Sequence, residues 1–495
     1  MARAHCRAAL MAGAALTAAA AAPAHADTLR DALEAAYRGN PTLEAARAQQ
    51  RATDENVPLQ KAAGRPSVTT NSQYIEFVKS SSTSLIAPKR NVVANLDLAV
   101  PIYSGGAVRN GIKAAETRVQ AGRADLRGTE SSVFSQVVAA YMDVIRAEAL
   151  VALSANQVRV LGVNVQSTSD RFEIGDLTRT DVAQSQARLA TAQSDLESAQ
   201  SNLIAARENY IAIVGLAPDD LQAPPPLPGL PDSLEDAVST ALVENPDLIA
   251  ARERAKAAGY DIDVAGAARL PTVSLFTGGT YNNYLGSLKS GAVATSYPQT
   301  STAVQAGVQL SLPLYQGGRP AAQERQAQAR SSAALEQQIG AERNLIAQVR
   351  SAYASWKASQ AIIESSQQAI DAASLSLEGV QAENTVGNRT ILDILNAEQE
   401  LVQARAQLVT ARRNAYVAGF SLLAAMGRAE ARDLGLGDDG PLYDPAVYYD
   451  RVQGKWNDWA HDPDPQPQST RTVDIPAPGA EIPPSAESVT ETPGN

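Results

Sequence analysis

Residues 301–320 read STAVQAGVQLSLPLYQGGRP. Val304, Ala306, Val308, Leu310 and Leu312 alternate with Gln305, Gly307, Gln309 and Ser311. A period of two places the apolar side chains on one face of a strand and the polar ones on the other. The run has about the nine to eleven residues that cross a bilayer as a tilted strand. It ends at Pro313-Leu314-Tyr315-Gln316-Gly317-Gly318. From Arg319 to Asn384 the only proline is then Pro320, at the tolerated first turn of a helix. A two-faced strand running directly into a very long helix is the feature that sets the fold.

The same arrangement occurs earlier in the chain. Leu96, Leu98 and Val100 alternate with Asn95, Asp97 and Ala99, and Pro101-Ile102-Tyr103-Ser104-Gly105-Gly106 follows. No proline occurs from Ala107 to Phe172, enough chain for a helix about 100 Å long at 1.5 Å per residue. The two segments are copies. Tyr141/Tyr353, Gly175/Gly387, Asp181/Asp393 and Gly215/Gly427 all keep the 212-residue offset of the Pro101/Pro313 pair. Upstream, Asn40-Pro41 and Asn245-Pro246 are 205 apart, as are Pro66 and Pro271. The second copy is thus seven residues longer between Pro271 and Pro313, a change expected in a surface loop.

The segments after the long helices carry heptads. Val182, Leu189, Leu196, Leu203 and Tyr210 alternate with Ser185, Ala192, Ala199, Ala206 and Ile213. Ile394, Leu401, Leu408, Ala415 and Leu422 alternate with Ala397, Ala404, Ala411, Ala418 and Ala425. One large and one small residue per heptad makes a coiled-coil seam with close helix approach. Weaker strands are expected near Ser67–Val78 and Thr272–Tyr284, giving two hairpins with loops at Lys79–Asn91 and Leu285–Ser301. Four strands cannot close a membrane barrel, because the smallest have eight and open edges in lipid are too costly. The chain must therefore oligomerise: a dimer would supply eight strands and a trimer twelve. The soluble alternative is a helical rod capped by two ordinary hairpins.

Residues 1–26 read as a signal peptide: Arg3 and Arg7, the Ala-rich stretch Ala8–Ala22, and the A-x-A site Ala24-His25-Ala26. The one cysteine, Cys6, and two of three histidines lie within it, leaving only His461. That removes most zinc sites and the Ser-His-Asp and Cys-His arrangements, leaves only carboxylate-based catalysis open, and no cofactor is expected. The remaining chain has 40 basic against 53 acidic residues, which argues against a nucleic-acid partner. The domain reading is 27–216 for the first copy, 217–231 (APDDLQAPPPLPGLP) for an extended linker and 232–437 for the second copy. Residues 438–495 read as an acidic Pro-rich disordered tail, interrupted by Tyr443, Tyr448, Tyr449, Trp456 and Trp459, which could dock part of it.

With both strand exits, both Asn-Pro pairs and the two G-x-x-T-x-x-D-like turns, residues 27–437 resemble the TolC-type outer-membrane efflux protein family. The resemblance implies a mainly α chain with a transmembrane β-barrel. Three copies would complete a twelve-stranded barrel in the outer membrane, continuous with a coiled-coil α-helical barrel in the periplasm. It implies a periplasmic adaptor and an inner-membrane pump of RND or ABC type as partners, in efflux or type I secretion. No catalysis is implied, and no Walker-type Gly-Lys-Ser/Thr loop occurs. Asp181 and Arg389 match gate residues, and Asp393 matches an acidic ring at the entrance. Two positions depart from the pattern: Asn384 replaces a bracing gate tyrosine, and Asn396 the second ring acid. The same turns also read as capping boxes, Thr178 with Asp181 and Thr390 with Asp393, after helix stops at Gly175 and Gly387. Asn95, Asp97, Gln305 and Gln309 would line a pore. Pro101, Tyr103, Gly105, Gly106, Pro313, Tyr315, Gly317 and Gly318 mark the barrel-to-helix junctions, with both tyrosines either packed there or in an interfacial belt. The alternative function is a periplasmic coiled-coil adaptor or scaffold without a barrel.

Overall fold

The computed structural model describes residues 27–79, 86–290 and 297–482. The signal-peptide reading, the centres of both strand loops and the end of the tail lie outside these residues. The first copy comprises α1 (Leu29–Gly39), α2 (Pro41–Asp54), α3 (Asn56–Ala62), β1 (Ser67–Glu76), β2 (Ile86–Ala87), β3 (Arg90–Ser104), α4 (Ala107–Glu173) and α5 (Arg179–Val214). The second comprises α6 (Leu234–Glu244), α7 (Pro246–Gly266), β4 (Thr272–Asn283), β5 (Lys289–Ser290), β6 (Thr300–Ser311), α8 (Arg319–Thr385) and α9 (Ile391–Met426). A last helix, α10, covers Pro445–Val452.

The equal offsets become equal rods. Helices α4 and α8 are each 67 residues, and α5 and α9 each 36. Neither long helix breaks at Gly122, Gly128 or Gly340. Asn40 and Asn245 each cap the following helix with a side-chain oxygen, ahead of a proline in its first turn. The strand exits explain their paired glycines. Gly105 and Gly106 lie at φ 62° and 86°, and Gly317 and Gly318 at 62° and 81°, so the chain turns from strand to helix through two left-handed residues. At Gly105 a Cβ would also stand 2.9 Å from the Ala267 carbonyl oxygen. The seven extra residues of the second copy do not all fall in a loop: β4 has twelve residues where β1 has ten.

The four main strands form an antiparallel sheet in the order β1-β3-β4-β6, so β1 and β6 are its open edges. Directly paired residues share a face. Asp97 pairs with Gly278, which pairs with Gln305; Asn95 pairs with Thr280, and Ser274 with Gln309. All four expected pore residues therefore lie on one face. Leu96, Leu98, Val100, Leu275, Val304, Val308 and Leu310 lie on the other, and Val304 is 82% exposed. No helix among the described residues is long and apolar enough to cross a membrane.

The main core lies midway along the rods, where Phe134, Tyr141, Tyr210 and Phe420 join α1, α4, α5 and α9. A second cluster joins α6, α8 and α9 around Val349, Trp356 and Leu422, and a small one, Leu161, Ala192 and Leu395, ties α4, α5 and α9 nearer the tips. Helix α4 is central, buried against α2, α5, α7 and α9. Helix α8 leaves Leu335, Ile339, Ile362 and Leu375 exposed.

The linker is without helix, as its prolines require. Over its described part the tail lies on the body through the aromatic residues that interrupt its composition. Tyr443 N–H donates to the Tyr37 hydroxyl (2.9 Å), Tyr448 OH donates to Glu55 (2.8 Å), and Tyr449 packs on Val57, Ala115 and Val119. The Arg47 guanidinium is held between the Tyr37 and Tyr443 rings, 4.4 and 5.0 Å from their centres. Composition suggested disorder, but a few aromatic side chains supply enough contact to lay the segment on the body.

Candidate channel wall and periplasmic tips

At each tip a long helix stops and a shorter one starts within six residues. Gly175 (φ 84°) and Gly387 (φ 82°) end α4 and α8 in left-handed turns. The following amides, of Asp176 and Asn388, reach back to the Arg171 and Glu383 carbonyls. Thr178 and Thr390 then open α5 and α9 as reciprocal capping boxes. The Thr178 amide and hydroxyl donate to Asp181 Oδ2 at 2.8 and 2.7 Å; those of Thr390 donate to Asp393 Oδ2 at 2.9 and 2.8 Å. The Thr178 hydroxyl, then its amide, hold Asp181 below the usual carboxylate range. The Thr390 amide, then its hydroxyl, do the same for Asp393.

The expected gate residues are not joined within one protomer. Arg389 donates to Glu383 (2.7 Å), which raises the guanidinium pKa further. Asn384 donates to the Arg389 carbonyl oxygen (2.7 Å), so it braces its own turn. Asn396 accepts from Arg188 Nη2 (2.8 Å), and the same guanidinium reaches Gln399. That bridge ties α5 of the first copy to α9 of the second. A second bridge lies beside it, where Asn164 donates to both oxygens of Glu398 at 3.0 Å. Burial pushes Glu398 above the usual carboxylate range, only partly offset by Asn164. Neither bridge was expected from the sequence, because the partners are more than two hundred residues apart and carry no motif.

Higher up, Arg413 on α9 grips Asp143 on α4 through two bonds of 2.9 and 3.0 Å. Arg207 on α5 pairs with Glu148 on α4 at 2.7 Å, both nearly buried. At the strand exits Tyr315 is 89% and Tyr103 48% exposed in the protomer, so packing inside the chain does not account for Tyr315. On the polar sheet face the Phe276 ring lies over Gly307, where a Cβ would come within 3.0 Å of it. The glycine leaves room for an aromatic that alternation alone would not have placed there.

An open sheet with one lipid-suited and one polar face, continuous with paired coiled-coil hairpins, defines a channel subunit whose wall is part strand and part helix. Among solved structures it is similar in fold to CusC (TM-score 0.70, 19% identity, covering 81% of this chain and 92% of that one). It is likewise similar to the outer membrane protein VceC of Vibrio cholerae (TM-score 0.69, 23% identity, 81% and 96%). The outer membrane efflux protein BepC of Brucella suis biovar 1 is 34% identical over 430 residues, 87% of this chain and 91% of that protein. The chain belongs to the outer membrane efflux protein family, whose model matches residues 32–216 and 237–428. It is an outer-membrane channel with a periplasmic helical portion.

Proposed function

We propose that three copies of this chain close a twelve-stranded barrel and a continuous helical tunnel, which conducts cargo passively from a periplasmic adaptor and an inner-membrane pump to the exterior. The observation that carries this is the open sheet. Both edges, β1 and β6, have free backbone groups, and the face rich in Val and Leu suits lipid. In a bilayer such edges must pair with the next copy. The exposed apolar side chains of α8 supply the matching contact along the tunnel. Asn95, Asp97, Gln305 and Gln309 then face the lumen. The chain contributes a path, and the energy comes from an RND or ABC pump.

At the tips, Asp181 keeps a free oxygen after capping α5, and Arg389 sits on an exposed turn. Threefold assembly brings Arg389 of one copy toward Asp181 of the next as a latch, with Asn384 bracing the Arg389 turn. Asp393 forms an acidic ring at the entrance, which favours cations, and Asn396 leaves that ring without its second carboxylate. Planar-bilayer conductance tests the latch. Asp181→Ala with Arg389→Ser should raise single-channel conductance. Thr178→Ala, which loses the cap but keeps the carboxylate, should not match that rise. Unchanged conductance in the double variant would refute the latch and leave the channel standing.

A further inference from the structure

The chain has three tryptophans. Trp356 is buried in the second core cluster, whereas Trp456 and Trp459 are 71% and 89% exposed on the tail. Their position is set by the foot of the barrel. The Arg65 guanidinium lies 5.1 Å over the Trp456 ring and donates to the Lys455 carbonyl oxygen. Lys61 Nζ donates to the Gln453 carbonyl oxygen (3.4 Å). Arg65 stands two residues before β1 begins at Ser67, and Val68 already belongs to the apolar sheet face. The Trp456 indole is thus fastened where strand gives way to helix, and the Trp459 indole lies exposed three residues further along. Tyr103, Leu314 and Tyr315 are exposed at the corresponding exits of the other strands.

Nothing in the chain's own packing accounts for two solvent-facing indoles at this place. An indole has an apolar body and one N–H donor, and such groups concentrate at the headgroup level of bilayers. We propose that Trp456 and Trp459 anchor the tail in the periplasmic-side interface of the outer membrane, where phospholipid headgroups meet acyl chains. Val68 of the apolar sheet face follows Arg65 by three residues, and Lys61 and Arg65 stand beside Trp456 to meet lipid phosphates, while Lys455 is paired with Asp462. The tail then works as a strap. Tyr443, Tyr448 and Tyr449 fix it to α1–α4, and the indoles fix its upper end to the membrane. This rests on the reading of the chain as an inserted barrel.

The test uses the full-length trimer carrying Trp356→Phe, so that only the two tail indoles fluoresce. It is reconstituted in phosphatidylethanolamine–phosphatidylcholine vesicles with acyl chains brominated near the headgroup. About a twofold loss of emission is expected with shallow bromines, and a smaller loss with bromines near the chain ends. The unmodified chain measured against Trp456→Phe/Trp459→Phe gives the same difference without touching the core. Indoles unquenched by bromolipid but quenched by aqueous iodide would overturn the proposal. So would unquenched indoles whose removal dissociates the trimer, which would make them a contact between copies. Conductance of the same vesicles carrying Asp181→Ala/Arg389→Ser, which opens the proposed latch, separates the two readings: a conducting channel with unquenched indoles overturns the anchor alone, and vesicles without conductance and with unquenched indoles overturn both.

Discussion

Removing Glu148 should cost far more than the loss of one ion pair suggests, because of what it leaves behind. Its side chain is 7% exposed on α4, and its partner Arg207 on α5 is 13% exposed, with 2.7 Å between them. Apart from this carboxylate, the guanidinium donates to the Gly479 carbonyl oxygen at 2.8 Å. Glu148→Ala therefore strands a buried charge, at about 3–5 kcal/mol per protomer. Replacing both partners with methionine removes the stranded charge as well as the pair, and should return stability to within about 1 kcal/mol of the parent. Thermal and denaturant unfolding of the detergent-solubilised protein, followed by helical circular dichroism, measures all three. The pH dependence is a second reading. Burial pushes the Glu148 carboxyl above the usual carboxylate range, although Arg207 pulls it back. The folded chain then binds that proton more tightly than the unfolded one. Its contribution is fully present below the unfolded pKa and is lost as pH rises through the raised folded value. The parent should thus gain on Glu148→Gln as pH falls from neutrality. A double variant that costs as much as Glu148→Ala or more, or a parent that loses ground to Glu148→Gln on acidification, would refute this account.

Other outcomes follow from neighbouring geometry. Tyr141 is fully buried and its hydroxyl lies 2.7 Å from the Gln222 carbonyl oxygen, so Tyr141→Phe should lose about 1 kcal/mol of unfolding free energy. Its counterpart Tyr353, with an exposed 3.3 Å bond, should lose less under the same change. Gly427→Ala should destabilise by about 3 kcal/mol, since a Cβ there would stand 2.5 Å from the Glu244 carbonyl oxygen at φ 80°. Gly387→Ala, with the same backbone sign but open space, should lose only about 1 kcal/mol in the same melts. Val308→Lys on the lipid face should cost about 2–4 kcal/mol and lower the yield of membrane-inserted trimer. Gln309→Lys, one residue on and on the opposite sheet face that we propose lines the lumen, should assemble normally and shift ion selectivity toward anions in bilayer recordings.

Much of this architecture was legible because it depends on periods and punctuation, which are local. Alternation over residues 304–312 marked β6 and its two faces, and the duplicated exits marked where both strands become helices. The lack of interior prolines fixed rods of equal length. The caps Thr178–Asp181 and Thr390–Asp393 were readable because both partners sit within one turn. The tail was legible only in part: its aromatic residues marked where it could dock, and not which partners they meet. Composition averages over many polar residues, while its docking depends on Tyr443, Tyr448 and Tyr449 meeting particular partners on α1–α4.

The sequence by itself determined the long helices, their matched lengths and which strand face is apolar, since each follows from neighbours within a few positions. Only the tertiary structure decided which distant residues meet. It joined Arg188 to Asn396, Asn164 to Glu398 and Arg413 to Asp143 across the two copies, and it kept Asp181 apart from Arg389 within a protomer. It also carried Trp456 to Arg65, nearly four hundred residues away in the chain. Such contacts depend on how rods of fixed length lie against one another, which side-chain periodicity leaves undetermined.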